Sequence, residues 1–241
     1  EPLEATIQPN TKVFFLCNPH NPVGRVFTRQ ELEKIAEICL KHDLIIVSDE
    51  IHADLVLGNH THIPMASLSP EIADRTITLT AASKTFSMPS LSIAHAIIQN
   101  EALRKKVQDA SWGVGHATSV GYAALLAGYR DCGDWLDQLR AYLTANRDYL
   151  LDYIKTYIPH LSVTTTEGTY LAWIDCNELP LQQKPADFFK ETADVLMNDG
   201  AWFGKGGEGF IRLNFACTRA QLQEALERIH NAIKSLEAPV G

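Results

Sequence analysis

The stretch KVFFLCNPHNPVG, residues 12–24, joins a continuous apolar run to a turn with two Asn-Pro pairs and a glycine. Such a short run of apolar residues is typical of a parallel strand that is covered on both faces. The residue before a proline avoids the helical conformation, so the strand ends in a rigid turn that presents Asn21. We therefore expect a sheet of buried parallel strands, with Asn21 just beyond the end of one strand.

Strand and helix patterns alternate along the first part of the chain. Further strands are predicted at residues 44–48, 75–80 and 92–99, and an amphipathic helix with a capping box at residues 28–42. This alternation implies a mostly parallel sheet with right-handed crossovers. Residues 134–157 keep a helical spacing without an internal Gly or Pro, which predicts a helix long enough to link two domains.

The pattern changes after Pro159. There the sequence predicts strands at residues 169–176 and 208–217 and helices at residues 185–200 and 218–237. These elements form a small α+β unit. We therefore predict an α/β protein with two domains. Residues 1–155 form part of a large domain that ends in the long helix, and residues 156–241 form a small domain.

Composition excludes several classes of partner. The formal net charge is −8, and no block of Lys and Arg is present to neutralise phosphates, which argues against nucleic acid and anionic membranes. No apolar run reaches the roughly 18 residues of a membrane span. The cysteines are scattered and form no C-x-x-C pair, which predicts free thiols in a reducing, cytoplasmic compartment. They are Cys17, Cys39, Cys132, Cys176 and Cys217.

Polar residues follow three of the predicted strands. The first strand is followed by Asn21, the second by Asp49 and His52, and the third by Ser83 and Lys84. Ligands of parallel sheets bind outside the carboxyl ends of the strands, so these residues are candidates for one site. Each also has a structural explanation when taken alone: turn hydrogen bonds for the amide, a helix cap for the carboxylate, and a solvated charge for the lysine.

The order of these motifs resembles that of the class I/II aminotransferase family, which consists of fold-type I enzymes that use pyridoxal 5′-phosphate. Asn-Pro-x-Gly follows one strand, Asp-Glu the next, and Ser-Lys-Thr-Phe a third. The segments LCNPHNPVGRVFT, VSDEIHADL, SKTF and GGEGFIRLNFACTR most resemble the C-S lyase branch, which contains proteins similar to cystathionine β-lyase. The resemblance covers essentially the whole chain. It implies the fold-type I architecture and pyridoxal 5′-phosphate as cofactor.

The resemblance also implies roles for the strand-end residues. Lys84 is the covalent anchor of the cofactor aldehyde and, once released, the general base at the substrate α-carbon. Asp49 lies opposite the pyridine nitrogen of the cofactor and keeps it protonated. Asn21 donates to the 3-oxygen of the ring. His52 stands where many aminotransferases have a tyrosine and where the C-S lyase branch has a histidine.

Beyond the strand ends, one position matches the family and others depart from it. Arg212 matches the arginine that binds the substrate carboxylate with its planar guanidinium. Many relatives have an arginine for the cofactor phosphate after the lysine, whereas this chain has Ser90 and Ser92. A serine that several relatives carry three residues before the lysine is replaced here by Ala81. Ser83 remains as a residue that can help bind the phosphate.

The resemblance favours one reaction and leaves others open. The local motifs favour β-elimination from cystathionine, cysteine or a related S-conjugate, which gives a thiol or sulfide, pyruvate and ammonia. An amino-acid aminotransferase is the main alternative. A cofactor-binding protein that regulates through a protein partner is a further one. For the intact protein, the family implies a homodimer that acts on a small amino-acid substrate.

A hypothesis from another class is a metal hydrolase. Asp49, Glu50, His52, His60 and His62 are close in sequence and rich in oxygen and imidazole ligands. They lack the H-E-x-x-H motif and any other recognised zinc spacing. A metal site would also leave the lysine and the Asn-Pro turn without a role, so we predict none.

The start of the sequence carries one further expectation. The opening EPLEATIQPNTK resembles the linker that precedes the first strand of family members. We therefore expect the chain to be a C-terminal fragment of a longer protein. The upstream segment would supply a backbone phosphate cup, a stacking aromatic residue and residues shared across the dimer, so the fragment alone is expected to be inactive.

Overall fold

A computed structural model gives the structure of the chain over residues 2–91, 93–115 and 117–237. The chain divides into two units, each with its own sheet. Within the described residues, unit 1 contains residues 2–19, 26–56 and 60–137, and unit 2 contains residues 20–25, 57–59 and 138–237. The predicted division into domains after residue 155 stays a prediction.

In the described residues, unit 1 is built on a four-stranded sheet with helices beside it. Its elements are α1 (Pro2–Thr6), β1 (Val13–Cys17), α2 (Arg29–Lys41), β2 (Ile45–Asp49), α3 (Pro70–Asp74), β3 (Thr76–Thr80), α4 (Ala82–Thr85), β4 (His95–Ile98), α5 (Glu101–Ala110) and α6 (Ser119–Asp131). The strand order is β1-β2-β3-β4, with the first three strands parallel and β4 antiparallel to β3. The predicted α/β class and mostly parallel sheet are confirmed.

Helix α2 begins with the predicted capping box. The Thr28 hydroxyl accepts a hydrogen bond from the Glu31 N–H at 3.3 Å, and the Glu31 carboxylate accepts one from the Thr28 N–H at 2.8 Å. These bonds pair two N–H groups that a helix start otherwise leaves open. The apolar stripe of α2 joins the core of unit 1, which contains Leu16, Leu32, Ala36, Cys39, Leu44, Ile46, Met65 and Ile72.

The prediction that β1 is covered on both faces is wrong. Leu16 lies in the core of unit 1, whereas Phe15, on the opposite face of the strand, is 74% exposed. β1 is an edge strand in this sheet order. A run of apolar residues shows that a strand suits burial, but it does not show which faces are covered.

In the described residues, unit 2 is built on a four-stranded antiparallel sheet of order β5-β6-β8-β7. Its elements are α7 (Gly133–Tyr157), β5 (Ser162–Val163), β6 (Leu171–Asp175), α8 (Pro185–Ala193), β7 (Asn198–Asp199), β8 (Phe210–Asn214) and α9 (Arg219–Glu237). The first residues of α7 belong to unit 1. Its bounds agree with the predicted long helix. None of the described helices is both long and apolar enough to cross a bilayer.

The predicted helix over residues 185–200 is too long. Helix α8 ends at Ala193, because Asp194 adopts a left-handed conformation with φ of 52°. Aspartate tolerates this conformation better than most residues, so it can end a helix as glycine does. The chain then forms β7, where Asn198 and Asp199 pair with β8.

Candidate functional site

Two neighbouring strands of unit 1 end near residues that the sequence singled out. β2 ends at Asp49, which lies beside Cys17 of β1 and Leu79 of β3 in the sheet register. β3 leads through Ala81 into the single turn of α4, which carries Lys84. Because parallel strands share their carboxyl edge, Asp49 and the turn of Lys84 lie at the same edge of this sheet.

The Asp49 carboxylate is oriented by the backbone. Its Oδ1 accepts a hydrogen bond from the Ile51 N–H at 3.2 Å, and its main-chain carbonyl accepts one from the Asn18 N–H at 3.0 Å. No Lys, Arg or His in the described part of the chain pairs with this half-buried carboxylate. His52, three residues later, is 3% exposed. The carboxylate is therefore open to a ligand that carries a positive charge or an N–H group.

Lys84 is fixed by its backbone rather than by its side chain. Its N–H donates to the Ala81 carbonyl at 3.2 Å, and the Ser83 carbonyl accepts from the Met88 N–H at 3.0 Å. Across residues 2–91, 93–115 and 117–237, neither the Lys84 ammonium nor the Ser83 hydroxyl has a hydrogen-bond or ion-pair partner. Both side chains are half-buried. Ser92, where the sequence departs from the family, lies outside the described residues.

Glu50 has a structural role that the sequence did not reveal. Its carboxylate is buried and accepts hydrogen bonds from the Ser48 hydroxyl at 2.8 Å and the Met65 N–H at 3.0 Å. Nε2 of His62 lies 2.8 Å from its other oxygen. These contacts tie the segment after β2 to the turn at Met65. The described residues contain no group of three or more His, Cys, Asp or Glu that could hold a metal ion.

Arg212 of β8 is held between two asparagines in unit 2. One terminal nitrogen, Nη1, donates to Oδ1 of Asn21 at 2.7 Å, and the other, Nη2, donates to Oδ1 of Asn198 at 2.7 Å. The guanidinium carbon lies 4.6 Å from the centre of the Phe203 ring. Burial lowers the pKa of Arg212, and the charge of Tyr170 acts in the opposite direction. A guanidinium remains charged in proteins, so this arrangement is a rigid cationic centre.

The Asn-Pro turn presents Asn21 as predicted. Both Asn-Pro peptide bonds are cis. The turn is closed by hydrogen bonds from the His20 N–H to the Arg25 carbonyl at 2.8 Å and from the Gly24 N–H to the His20 carbonyl at 2.6 Å. Gly24 has φ of +78°, and a Cβ at this position would lie 2.8 Å from the Thr166 side chain. Only glycine fits both requirements.

The structure thus distributes the predicted site residues over both units. In unit 1 it brings the Asp49 and Lys84 turns to one sheet edge, whereas in unit 2 it joins Asn21 to Arg212 by a direct hydrogen bond. Sequence reasoning missed Asn198 and Phe203, the other partners of Arg212. Asn198 lay inside the helix predicted for residues 185–200, so its pairing with Arg212 across β7 and β8 was hidden.

Comparison with known proteins shows the family of the chain. The sequence pattern described as aminotransferase class I and II matches residues 1–229. The chain belongs to this family. Its α/β fold is the fold type I of the pyridoxal 5′-phosphate enzymes, and members of the family act on small amino-acid substrates. The family resemblance stated from the motifs is confirmed.

Individual relatives of this aminotransferase-family chain include named lyases. It is 38% identical to cystathionine β-lyase PatB of Bacillus subtilis over 97% of this chain and 61% of PatB. It is 36% identical to protein MalY of Escherichia coli over 97% of this chain and 60% of MalY. The crystal structure of cystalysin from Treponema denticola, which contains pyridoxal 5′-phosphate, matches with a TM-score of 0.92 at 37% identity, over 98% of this chain and 61% of cystalysin. The chain thus spans about three fifths of the length of these relatives.

The cofactor of this aminotransferase family is pyridoxal 5′-phosphate. The side chains described above suit its functional groups. An amine without an ion-pair partner among the described residues, Lys84, suits the aldehyde, and the similarly open carboxylate of Asp49 suits the pyridine nitrogen. The amide oxygen of Asn21 is engaged by Arg212, which leaves the amide NH₂ group as a donor for an anionic oxygen.

Proposed function

We propose that the protein is a pyridoxal 5′-phosphate-dependent carbon-sulfur β-lyase. Its substrate would be cystathionine, cysteine or a related S-conjugate, and its products a thiol or sulfide, pyruvate and ammonia. The observation that carries this proposal is a lysine and a carboxylate at the shared carboxyl edge of two parallel strands, in a chain 38% identical to a named cystathionine β-lyase. The buried His52 after Asp49, typical of the C-S lyase branch, supports the choice of lyase over aminotransferase.

Several side chains would hold the cofactor. Lys84 would bind its aldehyde carbon, Asp49 would accept a hydrogen bond from the protonated pyridine nitrogen, and Asn21 would donate to the 3-oxygen. His52 would lie near the same oxygen and Ser83 near the phosphate. When bound, the cofactor withdraws electrons from the α-carbon of the substrate, which makes the α-proton acidic.

The residues of the chain then perform the proton transfers. Nη1 and Nη2 of Arg212 each donate one N–H to an asparagine, and their second N–H groups would bind the substrate carboxylate, which fixes the α-carbon in place. Nζ of Lys84, freed from the aldehyde carbon when the amino group of the substrate takes its place there, would remove the α-proton as a neutral amine. The electron pair left by the proton expels the sulfur substituent from the β-carbon with its bonding electrons. Protonation of the sulfur gives the thiol, and addition of water to the remaining three-carbon fragment gives pyruvate and ammonia.

The test combines a spectrum with a product assay. Pyridoxal 5′-phosphate is added to the chain, to the full-length product of its gene, and to Lys84→Ala and Lys105→Ala variants of each. Lys105 is an exposed lysine paired with Asp109, and it serves as the control. We expect a visible absorbance band that Lys84→Ala abolishes and Lys105→Ala preserves, followed by release of pyruvate from L-cystathionine.

Other outcomes would redirect the proposal. Absence of the band from every protein that retains Lys84 would overturn the assigned anchor. A band with exchange of amino groups between amino and keto acids, but no pyruvate from cystathionine or cysteine, would identify an aminotransferase. A lysine-dependent band with neither activity would favour a cofactor-binding protein that acts through a protein partner.

The proposal extends to the oligomeric state, cellular compartment and domain division of the intact protein. We propose that the intact protein is a cytoplasmic homodimer and that residues 1–155 belong to its cofactor-binding domain, with residues 156–241 as the small domain. The free cysteines are consistent with a reducing compartment. Sedimentation of the full-length product would give its mass in solution, and a monomer that keeps its activity would contradict the dimer.

A further inference from the structure

Thr85, the residue after Lys84, is anchored within unit 1. Its side chain is 1% exposed, and its hydroxyl donates a hydrogen bond to Oδ2 of Asp54 at 2.7 Å. Asp54 lies five residues beyond Asp49, in the segment that follows β2. The hydrogen bond therefore joins the segment after β2 to the turn after β3.

The same oxygen of Asp54 has a second donor. The hydroxyl of Tyr129, on α6, lies 3.1 Å from Oδ2. Burial and the negative charge of Asp54 raise the pKa of Tyr129, so the phenol stays protonated and remains a donor at neutral pH. No Lys, Arg or His in residues 2–91, 93–115 and 117–237 pairs with Asp54. Two neutral hydroxyls thus donate to this carboxylate, and because the acceptor is charged, each hydrogen bond is charge-assisted.

The residue after Thr85 is anchored as well. The Phe86 ring packs on Gly128 of α6 so closely that a Cβ there would lie 2.7 Å from the ring. It meets the Tyr129 ring edge to face, with 5.2 Å between centroids, and the Trp135 ring at 6.2 Å. Side-chain contacts thus hold the two positions that follow Lys84.

Helix α4 needs such anchors. It is a single turn of four residues, and its N-cap, Ala81, makes no side-chain hydrogen bond. A lone uncapped turn is unstable without tertiary contacts, because it fixes several dihedral angles for little hydrogen bonding. The Lys84 ammonium adds neither a hydrogen bond nor an ion pair within the described part of the chain.

We propose that Asp54 is a positioning residue for Lys84. By accepting from Thr85 and Tyr129, it fixes the turn of α4 relative to the segment that begins at Asp49, and thereby places the lysine amine for reaction with the cofactor aldehyde. This inference rests on the proposed function, because it assumes that Lys84 is the anchor.

The test uses paired threonine variants of the full-length product. Thr85→Val removes the hydroxyl and keeps the shape, whereas Thr85→Ser keeps the hydroxyl. Thr76→Val is the control, since Thr76 is also 1% exposed and its hydroxyl also makes a buried hydrogen bond, to the Ile72 carbonyl at 2.7 Å. Tyr129→Phe removes the second donor to Asp54, and Asp54→Asn removes the negative charge of the acceptor.

Two readouts separate positioning from general stability. The first is hydrogen exchange of the amides of residues 84–88 without cofactor. We expect Thr85→Val to speed this exchange by about tenfold or more, as for loss of a hydrogen bond to a charged group, and Thr76→Val to leave it unchanged. The second is the rate at which added pyridoxal 5′-phosphate becomes linked to Lys84. Borohydride traps the link, and mass spectrometry of the peptide measures it.

We expect this rate to fall several-fold in Thr85→Val and Asp54→Asn, less in Tyr129→Phe, and to recover in Thr85→Ser. Equal effects of Thr85→Val and Thr76→Val on both readouts would overturn the proposal, as would normal trapping in Asp54→Asn. If the unmodified protein traps no cofactor at Lys84, the proposed function itself fails. The exchange data then report separately whether Asp54 holds the turn.

Discussion

Arg212 illustrates how a single side chain can be immobilised without loss of its charge. Both of its hydrogen-bond acceptors in the described chain are amide oxygens, of Asn21 and Asn198, and its face lies on the Phe203 ring. A carboxylate partner would have neutralised the guanidinium. Neutral acceptors leave it able to attract an anionic ligand while they fix its orientation.

Replacement of this arginine should affect substrate binding more than turnover. Arg212→Lys retains the charge but loses the planar pair of donors, so we expect the KM for the amino-acid substrate to rise about tenfold or more with a smaller change in kcat. Arg219→Lys is the matched control, because Arg219 also packs on an aromatic ring of unit 2, that of Tyr149. Steady-state kinetics of both variants give the comparison, and equal KM values would contradict the role of Arg212.

Asp199 should make stability depend on pH in the acid range. Its side chain is 8% exposed and bonds to Lys184 at 2.7 Å, and this hydrogen bond lowers the pKa of Asp199 below its ordinary value of 3.8. A lowered pKa in the folded state stabilises the protein above the ordinary pKa, and this stabilisation is lost as the pH falls through the lowered value.

We therefore expect Asp199→Asn to reduce the free energy of unfolding at pH 6 and to have no effect well below pH 3.8. Urea titrations at a series of pH values measure this difference. Asp109→Asn removes a carboxylate that is 66% exposed, and it should change stability little at any pH. A pH-independent difference for Asp199→Asn would show that packing, and not the ion pair, is responsible.

At the scale of elements, Gly24 sets the shape of the turn after β1. We expect Gly24→Ala to destabilise the protein by about 1–3 kcal/mol, because the left-handed φ of +78° and the contact with Thr166 both oppose a Cβ. Gly113→Ala separates the two effects, since Gly113 has φ of +83° but no atom within 4 Å of the added Cβ. Chemical denaturation should show a larger loss for Gly24→Ala, and equal losses would contradict the steric part.

The elements also show how far sequence reasoning reached. The capping pair at Thr28 and the uninterrupted spacing of α7 are local signals, and both were predicted correctly because nothing distant alters them. The end of α8 was predicted wrongly, because Asp194 ends the helix through a backbone conformation that many sequences could adopt. Periodicity detects the apolar face of an element better than its last residue.

The candidate site divides in the same way. The polar residues at the strand ends, Asp49 and Lys84, follow from the position of each strand and from motif order. The hydrogen bond from Thr85 to Asp54 joins positions 31 residues apart and depends on how two loops turn toward each other. No spacing rule predicts such a contact, so the residues that support the lysine emerge only from the structure.

At the scale of the whole molecule, two buried thiols report on the two units separately. Cys39 in unit 1 is 0% exposed and Cys176 in unit 2 is 2% exposed. Burial raises the pKa of Cys39 to about 11 and that of Cys176 to about 12. Alkylation requires an accessible thiolate, so both thiols should be inert in the native protein.

We expect iodoacetamide to modify Cys132, which is partly exposed, roughly 100-fold faster than Cys39 or Cys176 in native buffer. Mass spectrometry of each cysteine peptide across a urea series then follows the opening of unit 1 through Cys39 and of unit 2 through Cys176. Rapid native labelling of either thiol would contradict the observed burial.

The grouping of residues 20–25 and 57–59 with unit 2 lay beyond sequence reasoning. The Gly24 carbonyl accepts hydrogen bonds from the Glu167 and Gly168 N–H groups at 2.8 and 3.0 Å, and the Glu167 carbonyl accepts one from the Leu57 N–H at 2.8 Å. Backbone groups carry no side-chain signature, so pairing between such distant segments leaves no trace in the residue pattern.

These hydrogen bonds have a consequence for how the protein can be divided. Because early segments of the chain complete the later unit, no single cut in the gene separates the units as modules. A polypeptide that starts at residue 138 would lack the carbonyl of Gly24 and the N–H of Leu57. The N–H and the carbonyl of Glu167, which bond to these two groups, would then have to bond to water. The units are therefore interleaved in the sequence, and gene fusion or recombination could exchange them only by carrying several separated segments together.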